Sequence, residues 1–398
     1  MSDRLRIRAA GPAIANPLLA ALLRRMLGRL RHGRLVCRLP GGVCLEQQGP
    51  LPGPDAVLDV HQPRRTLTLL MHGAAGLHEG YIAGVWSSPN LPALLTLLAL
   101  NFTPAPPSAP LAGPRRVIAR WRHAANANSR SGSRRNILAH YDLGNAFYAA
   151  WLDASMLYSS ALYAAPEDTL ETAQARKLDL VTDWLDVRGG ANVLDIGCGW
   201  GALARRLGAE GGRVTGITLS PAQLDHARRF ADGTISFALR DYRDETGLYD
   251  RIVSIEMLEA VGEAYWPTYF STLRARLKPG GRAVLQIITI AAEQYGDYRR
   301  TPDFIQRHIF PGGMLPTKAA IFAQARRAGL EPGRVRHFGA SYARTLADWR
   351  ARFLAAGPHL TAMGFDARFR RLWEYYLAYC EAGFSAGCID VGLYELRG

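Results

Sequence analysis

The stretch that most constrains this chain is Val193-Leu194-Asp195-Ile196-Gly197-Cys198-Gly199-Trp200-Gly201, an apolar, β-branched run that enters a glycine cluster and then a helical pattern. Glycines at alternate positions, Gly197, Gly199 and Gly201, remove Cβ atoms where the chain must turn sharply. They also let a ligand come close to the start of the following helix. Taken alone, such a turn is as compatible with a tight strand-to-helix connection as with a ligand loop. The context favours a ligand. Asp195 stands two residues before the first glycine, and a second strand, Arg213 to Thr218, follows one helix later in the βαβ rhythm of a doubly wound sheet. The spacing G-C-G-W-G differs from the G-x-G-x-x-G of nicotinamide-binding proteins.

The alternation continues downstream. Strands are expected at Asn192 to Ile196, Arg213 to Thr218, Ile235 to Leu239, Arg251 to Ile255 and Arg282 to Ile290, with helices from Ala202, Pro221 and Tyr265 between them. A last pair near Val335 to Phe338 and Ile389 to Leu396 closes a mostly parallel sheet. A chain of 398 residues is long for one core, so a second domain is expected upstream. There, Gly33 to His61 alternates short apolar runs with Gly and Pro, as the strands and turns of a small α+β domain do. Leu91 to Leu100 is leucine-rich and reads as core or as a lipid-facing wall. Five prolines between Thr103 and Pro114 mark an extended linker, followed by a basic, polar run through Arg134 and Arg135. The expected organisation is an α+β domain over 1–102, a linker over 103–135 and an α/β, doubly wound domain over 136–398.

The formal charge of +14 favours an anionic partner, nucleic acid or an acidic membrane surface. Arginine scattered over solvated faces explains the same number equally well. Five cysteines, an odd count without C-x-x-C or Cys/His spacing, point to a reducing compartment and no metal site. No stretch reaches the ~18–20 apolar residues that cross a bilayer, and no signal-peptide pattern opens the chain, so a cytoplasmic location is expected. Ala13 to Leu30 is amphipathic, with Arg24, Arg25, Arg29 and Arg31, and reads as a packed N-terminal helix or one lying on a membrane surface.

Eight strings together resemble the cyclopropane-fatty-acyl-phospholipid synthases and the mycolic acid cyclopropane synthases. They are HYDLGN (140–145), MLYSSALY (156–163), LDIGCGWG (194–201), GITLSPAQ (216–223), EMLEAVG (256–262), FIQRHIFPGGMLP (304–316), YARTLADW (342–349) and YYLAYCEAGFSAGCIDV (375–391). The glycine turn is similar to motif I of the S-adenosylmethionine-dependent methyltransferases. The resemblance covers about Asn136 to the C-terminus, and the N-terminal domain more loosely. It implies a Rossmann-like methyltransferase sheet, S-adenosylmethionine as co-substrate, and transfer of a methylene unit to a cis double bond of an unsaturated phospholipid acyl chain, forming a cyclopropane. The enzyme would work peripherally, at the anionic inner face of the membrane, and a homo-oligomer stays open.

The resemblance also assigns residues. Tyr158 and Ser159 would touch the methionine end of the cofactor, with Asp195 and the three glycines beside it; Thr218, Leu219, Ser220 and Gln223 stand where many methyltransferases carry a ribose-binding acid. Asp241 and Tyr242 fall where adenine contacts are usual, or form a solvated turn. The chemistry needs an apolar, water-poor site with aromatic faces that tolerate a carbocation, and one base. The resemblance implies that this base is a bound bicarbonate, held here by Glu259, Ile288 and Tyr342. Two holders depart: Ser160 stands for a cysteine and Gln286 for a histidine, each keeping a hydrogen-bond donor. Glu259 would otherwise be a carboxylate favoured by a helix dipole, His140 a structural histidine, Glu381 an ion-pair partner, and Cys198 a small residue in a tight turn. Rival readings are a fatty-acyl C-methyltransferase giving a methyl-branched or methylene product, and a non-catalytic lipid-binding protein. A nucleic-acid methyltransferase lacks a base-flipping motif.

Overall fold

A computed structural model describes residues 6–8, 17–102, 132 and 143–398. The expected linker, residue 132 apart, and His140 lie outside the described residues. The chain divides into two compact units: Met1–Pro110 with Phe353–Cys388, and Leu111–Arg352 with Ile389–Gly398.

The first unit is built on a five-stranded sheet of β1 (Arg6–Arg8), β2 (His32–Leu39), β3 (Val43–Gln48), β4 (Leu51–Val60) and β5 (Trp86–Ser87), in the order β1-β3-β2-β4-β5. Strand β2 alternates buried and accessible residues, as a sheet covered on one face does. The amphipathic segment forms the helix Pro17–Leu27, which buries Leu19, Ala20, Leu23 and Leu27 in the core and leaves Leu18 exposed. The leucine-rich helix Leu91–Asn101, capped by Asn90, buries Leu91, Leu94, Leu95 and Leu97 and packs on β2, β4 and the helix Ala367–Ser385. Of its two readings, core is the one observed.

That last packing belongs to the first unit. Phe353–Cys388 clusters with the N-terminal unit instead of the methyltransferase sheet. The cause is the aromatic face of helix Ala367–Ser385, where Trp373, Tyr375, Tyr376 and Phe384 are buried. Tyr375 lies 5.7 Å from the Tyr81 ring and 6.2 Å from His78, on the helix Ala74–Ile82.

The second unit holds a seven-stranded sheet: β6 (Asn192–Ile196), β7 (Arg213–Thr218), β8 (Ile235–Leu239), β9 (Tyr249–Ile255), β10 (Leu277–Ile290), β11 (Glu331–His337) and β12 (Ile389–Arg397). The order is β11-β12-β10-β9-β6-β7-β8. Strands β6 to β10 run parallel, and β12 is antiparallel to both β10 and β11. The α/β class and mostly parallel sheet agree with the sequence reading. Val284 to Ile287 are buried without a break, because helices cover both faces of a doubly wound sheet. Tyr269, Phe270 and Leu273 of helix Trp266–Arg276 join Leu194, Ile252 and Leu285 in the core.

Strand order reverses at β6, which pairs β7 on one side and β9 on the other. In open α/β sheets, ligands bind at that reversal, outside the C-terminal strand ends. The glycine turn, Thr218-Leu219-Ser220 and Glu256 all lie at such ends.

Candidate active site

The glycine turn is spliced to its neighbour strand, since the N–H groups of Gly197 and Cys198 both donate to the Ile217 carbonyl, at 2.9 and 3.1 Å. Gly199 adopts φ +54°, and a Cβ built on it would meet nothing within 4 Å, so the backbone there is open to close approach. Gly197 already abuts Met257, and Gly201 abuts Phe237 and Ala227. Asp195 is buried, with Oδ2 lacking a hydrogen-bond partner, and burial lifts its carboxyl to about 7 against the pull of Lys177. Cys198 is buried, and its thiol is pushed up mainly by that burial.

Around the turn, Trp200 Nε1 donates to Asn145 Oδ1 at 2.8 Å, and Asn145 Nδ2 donates to the Ala222 carbonyl at 2.9 Å. Asn145 thereby ties the turn to the helix Pro221–Ala227. Ser220 caps that helix, accepting from the Gln223 N–H at 3.3 Å; Thr218 Oγ1 donates to Gln223 Oε1 at 2.8 Å and accepts from the Ser220 N–H. Leu219 lies half-buried between them. With its oxygen held, Gln223 has its amide nitrogen left to donate. Asp241 is engaged by Arg243 at 2.6 Å, and Tyr242 packs on Tyr269.

The segment Met156 to Tyr163 is clamped by the helix Gly339–Ala355. Ala161 N–H donates to Thr345 Oγ1 and Tyr163 N–H to Ser341 Oγ, both at 3.1 Å, and Tyr163 OH donates to Asp348 Oδ2 at 2.5 Å. Tyr158 is thereby set among Tyr148, Trp151 and Trp349, at ring distances of 5.3 to 5.5 Å. Tyr148, Trp151 and Trp349 are buried behind the half-buried Tyr158.

The polar centre is organised by a residue the sequence reading did not single out. Glu256, the first residue after β9, has φ +51°, an unfavourable conformation for a side chain larger than glycine. Its carboxylate accepts from the Ser160 N–H at 2.8 Å, from Gln286 Nε2 at 2.7 Å and from Tyr342 OH at 2.6 Å. Burial raises its carboxyl above the usual range, while these three donors and Lys177 pull it down. Glu259, one turn on, accepts from the Ile288 N–H, and its Oε2 is buried without a partner. Desolvation, then the charge of Glu256, lifts it to about 8, so it holds its proton at neutral pH. Both glutamates keep some accessible surface yet lie deep enough for desolvation to dominate.

Thus Ser160, Gln286, Ile288, Glu259 and Tyr342 do converge, but three of the five converge on the carboxylate of Glu256. A carboxylate directly after the central buried strand Arg251-Ile252-Val253-Ser254-Ile255, at the ligand-binding edge, was the signal available in the sequence. Lys177 and Gln174 were missed as well. Both are buried on the helix Leu170–Leu185 and hold Ser159, Lys177 Nζ donating to its Oγ at 2.7 Å and Gln174 Nε2 to its carbonyl at 3.0 Å.

A doubly wound sheet with an open glycine turn at its reversal and an aromatic-walled carboxylate site defines an S-adenosylmethionine-dependent methyltransferase. The family model for mycolic acid cyclopropane synthetase matches residues 128–393, and the chain belongs to that family. It is 40% identical over 348 residues to the tuberculostearic acid methyltransferase of Mycobacterium tuberculosis, covering 84% of this chain and 81% of the relative. It is 35% identical over 345 residues to the cyclopropane-fatty-acyl-phospholipid synthase of Escherichia coli, covering 86% and 87%. Among solved structures, a mycolic acid cyclopropane synthase in complex with S-adenosylhomocysteine and CTAB aligns with TM-score 0.62 and 29% identity, over 67% of this chain and 98% of that one. S-adenosylmethionine is accordingly the co-substrate, and the open backbone at Gly199 suits it. Among the described residues no helix is long and apolar enough to cross a membrane, and no His/Cys/Asp/Glu group could hold a metal ion.

Proposed function

We propose that this enzyme transfers the methyl group of S-adenosylmethionine to a cis double bond of an unsaturated phospholipid acyl chain, and that Glu256, not bicarbonate, takes the proton from the transferred methyl. The observation that carries this reading is the set of three hydrogen bonds to Glu256 from positions 160, 286 and 342, which the family resemblance assigns to a bicarbonate cage. A bicarbonate would have to compete for donors already in use and sit beside a like charge. Ser160 and Gln286 therefore read as partners fitted to a tethered carboxylate.

S-adenosylmethionine supplies an electrophilic sulfonium methyl. The chain supplies the rest. Tyr158 and Ser159 would hold the methionine end, and Thr218, Ser220 and Gln223 would meet the ribose. Tyr158, half-buried and backed by Tyr148, Trp151 and Trp349, would shield the cation left on the acyl chain from water. Glu256 accepts one methyl proton, and Glu259, already protonated, adds no second negative charge.

Pinned by three hydrogen bonds, the Glu256 carboxylate cannot move to follow the transferred methyl, which delays removal of its proton. The cation then lives long enough for a hydride to shift from the methylated carbon to its neighbour, and loss of the methyl proton leaves a methylene group instead of a ring. The 40% identity to a methyltransferase supports that C-methylating outcome. Ring closure is the second reading, supported by the family and by the Escherichia coli relative. Docking at an acidic membrane surface is part of the proposal and is supported by the +14 charge.

The test is incubation with S-adenosylmethionine and liposomes of mono-unsaturated phospholipid, then proton NMR of the extracted acyl chains. Olefinic signals of an exocyclic methylene are expected. High-field cyclopropane signals would establish the ring instead, and unchanged acyl chains would overturn both readings.

A further inference from the structure

Lys177 is 1% exposed, in the interior of the helix Leu170–Leu185. An ammonium so deep in a fold is costly unless something compensates it. Its Nζ donates to Ser159 Oγ at 2.7 Å, and the carboxylates whose charges act on it are Glu256, Asp153 and Asp195. The next residue along, Ser160, donates its N–H to Glu256 Oε1. The tripeptide Tyr158-Ser159-Ser160 is thus fastened to the lysine at its middle and to the base at its end.

We infer that Lys177 is a positioning residue that couples the two halves of the reaction: it orients Ser159 toward the cofactor and keeps Glu256 ionised. The inference rests on the reading of Glu256 as the base. Glu256 is faced by Lys177, by Tyr342 and by Glu259, and Lys177 is the one cation among them. Burial pulls Lys177 down to about 8, so it stays charged through neutral pH. Its loss would remove the one positive charge that acts on the buried Glu256, and Glu256 would hold its proton to higher pH.

The experiment is the pH dependence of single-turnover methyl transfer at saturating S-adenosylmethionine, together with calorimetric cofactor binding. Glu256→Gln tests the base: losing the reaction across the pH range supports that reading, and wild-type turnover in this variant overturns it. Given a silent Glu256→Gln, Lys177→Met should move the acidic limb upward by about one pH unit, a tenfold loss at fixed pH below the limb, and weaken cofactor binding. Lys177→Arg, which keeps the charge, should return the limb toward wild type. Methionine matches the volume of lysine in an apolar setting; should that variant not fold, Lys177→Gln carries the same expectation. An unmoved acidic limb in the folded neutral variant, with Glu256→Gln inactive, would overturn the role of Lys177 and leave the base reading standing.

Discussion

Gln286 grips Glu256 twice: its carbonyl accepts the Glu256 N–H at 2.8 Å, and its Nε2 donates to Glu256 Oε1 at 2.7 Å. The two contacts fix the backbone and the carboxylate of one residue from one strand position. They hold Glu256 in a left-handed conformation that an unconstrained glutamate would leave.

That conformation makes glycine the natural replacement. Glu256→Gly relieves the strain, removes the base and frees three donors, Ser160 N–H, Gln286 Nε2 and Tyr342 OH. Methyl transfer should fall by about 10²–10⁴-fold and recover in part when bicarbonate or formate is added. Absence of rescue in the folded variant would mean that the three donors do not make an anion site.

Gly199→Val should abolish S-adenosylmethionine binding in calorimetry while the protein stays folded. A β-branched residue at φ +54° costs roughly 1–2 kcal/mol, and its side chain would occupy the open approach to the turn. Undiminished binding would remove this loop from the cofactor site.

Stability should decline as pH rises from about 5 to 8. Asp195 and Glu259 both have folded values raised above their ordinary carboxyl range, to about 7 and about 8. The unfolded chain releases these protons near pH 4 while the folded chain keeps them, so the folded state is relatively most stable below that point and loses the advantage through the raised values. Asp195→Asn and Glu259→Gln should each flatten the dependence of urea midpoints over this window. A steeper decline in either variant would contradict the assignment.

Much of this was legible in the sequence. The bounds of β6, β7 and β8 follow from apolar runs closed by turn residues, and the glycine turn from residues that accept φ near +54° to +91° without strain. Ser160 and Gln286 were visible as departures, but not what they depart toward. Glu256 meets its partners across 96, 30 and 86 positions of sequence, and no local pattern carries such distances. Lys177 left a fainter trace, a charged residue on a helix face shared with Ala173, Gln174 and Val181. The placement of helix Ala367–Ser385 was hidden for a related reason. An aromatic face states that a helix will be buried, not which of two cores will bury it.

The most direct measurement is the rate of methyl transfer by the wild-type enzyme in buffer stripped of carbon dioxide, with and without added bicarbonate. With Glu256 as the tethered base, the rate should be the same in both, and added bicarbonate should restore activity only to Glu256→Gly. A wild-type rate that collapses without bicarbonate and returns with it would contradict the central claim, because the base would then be a bound ion and Glu256 only part of its cage.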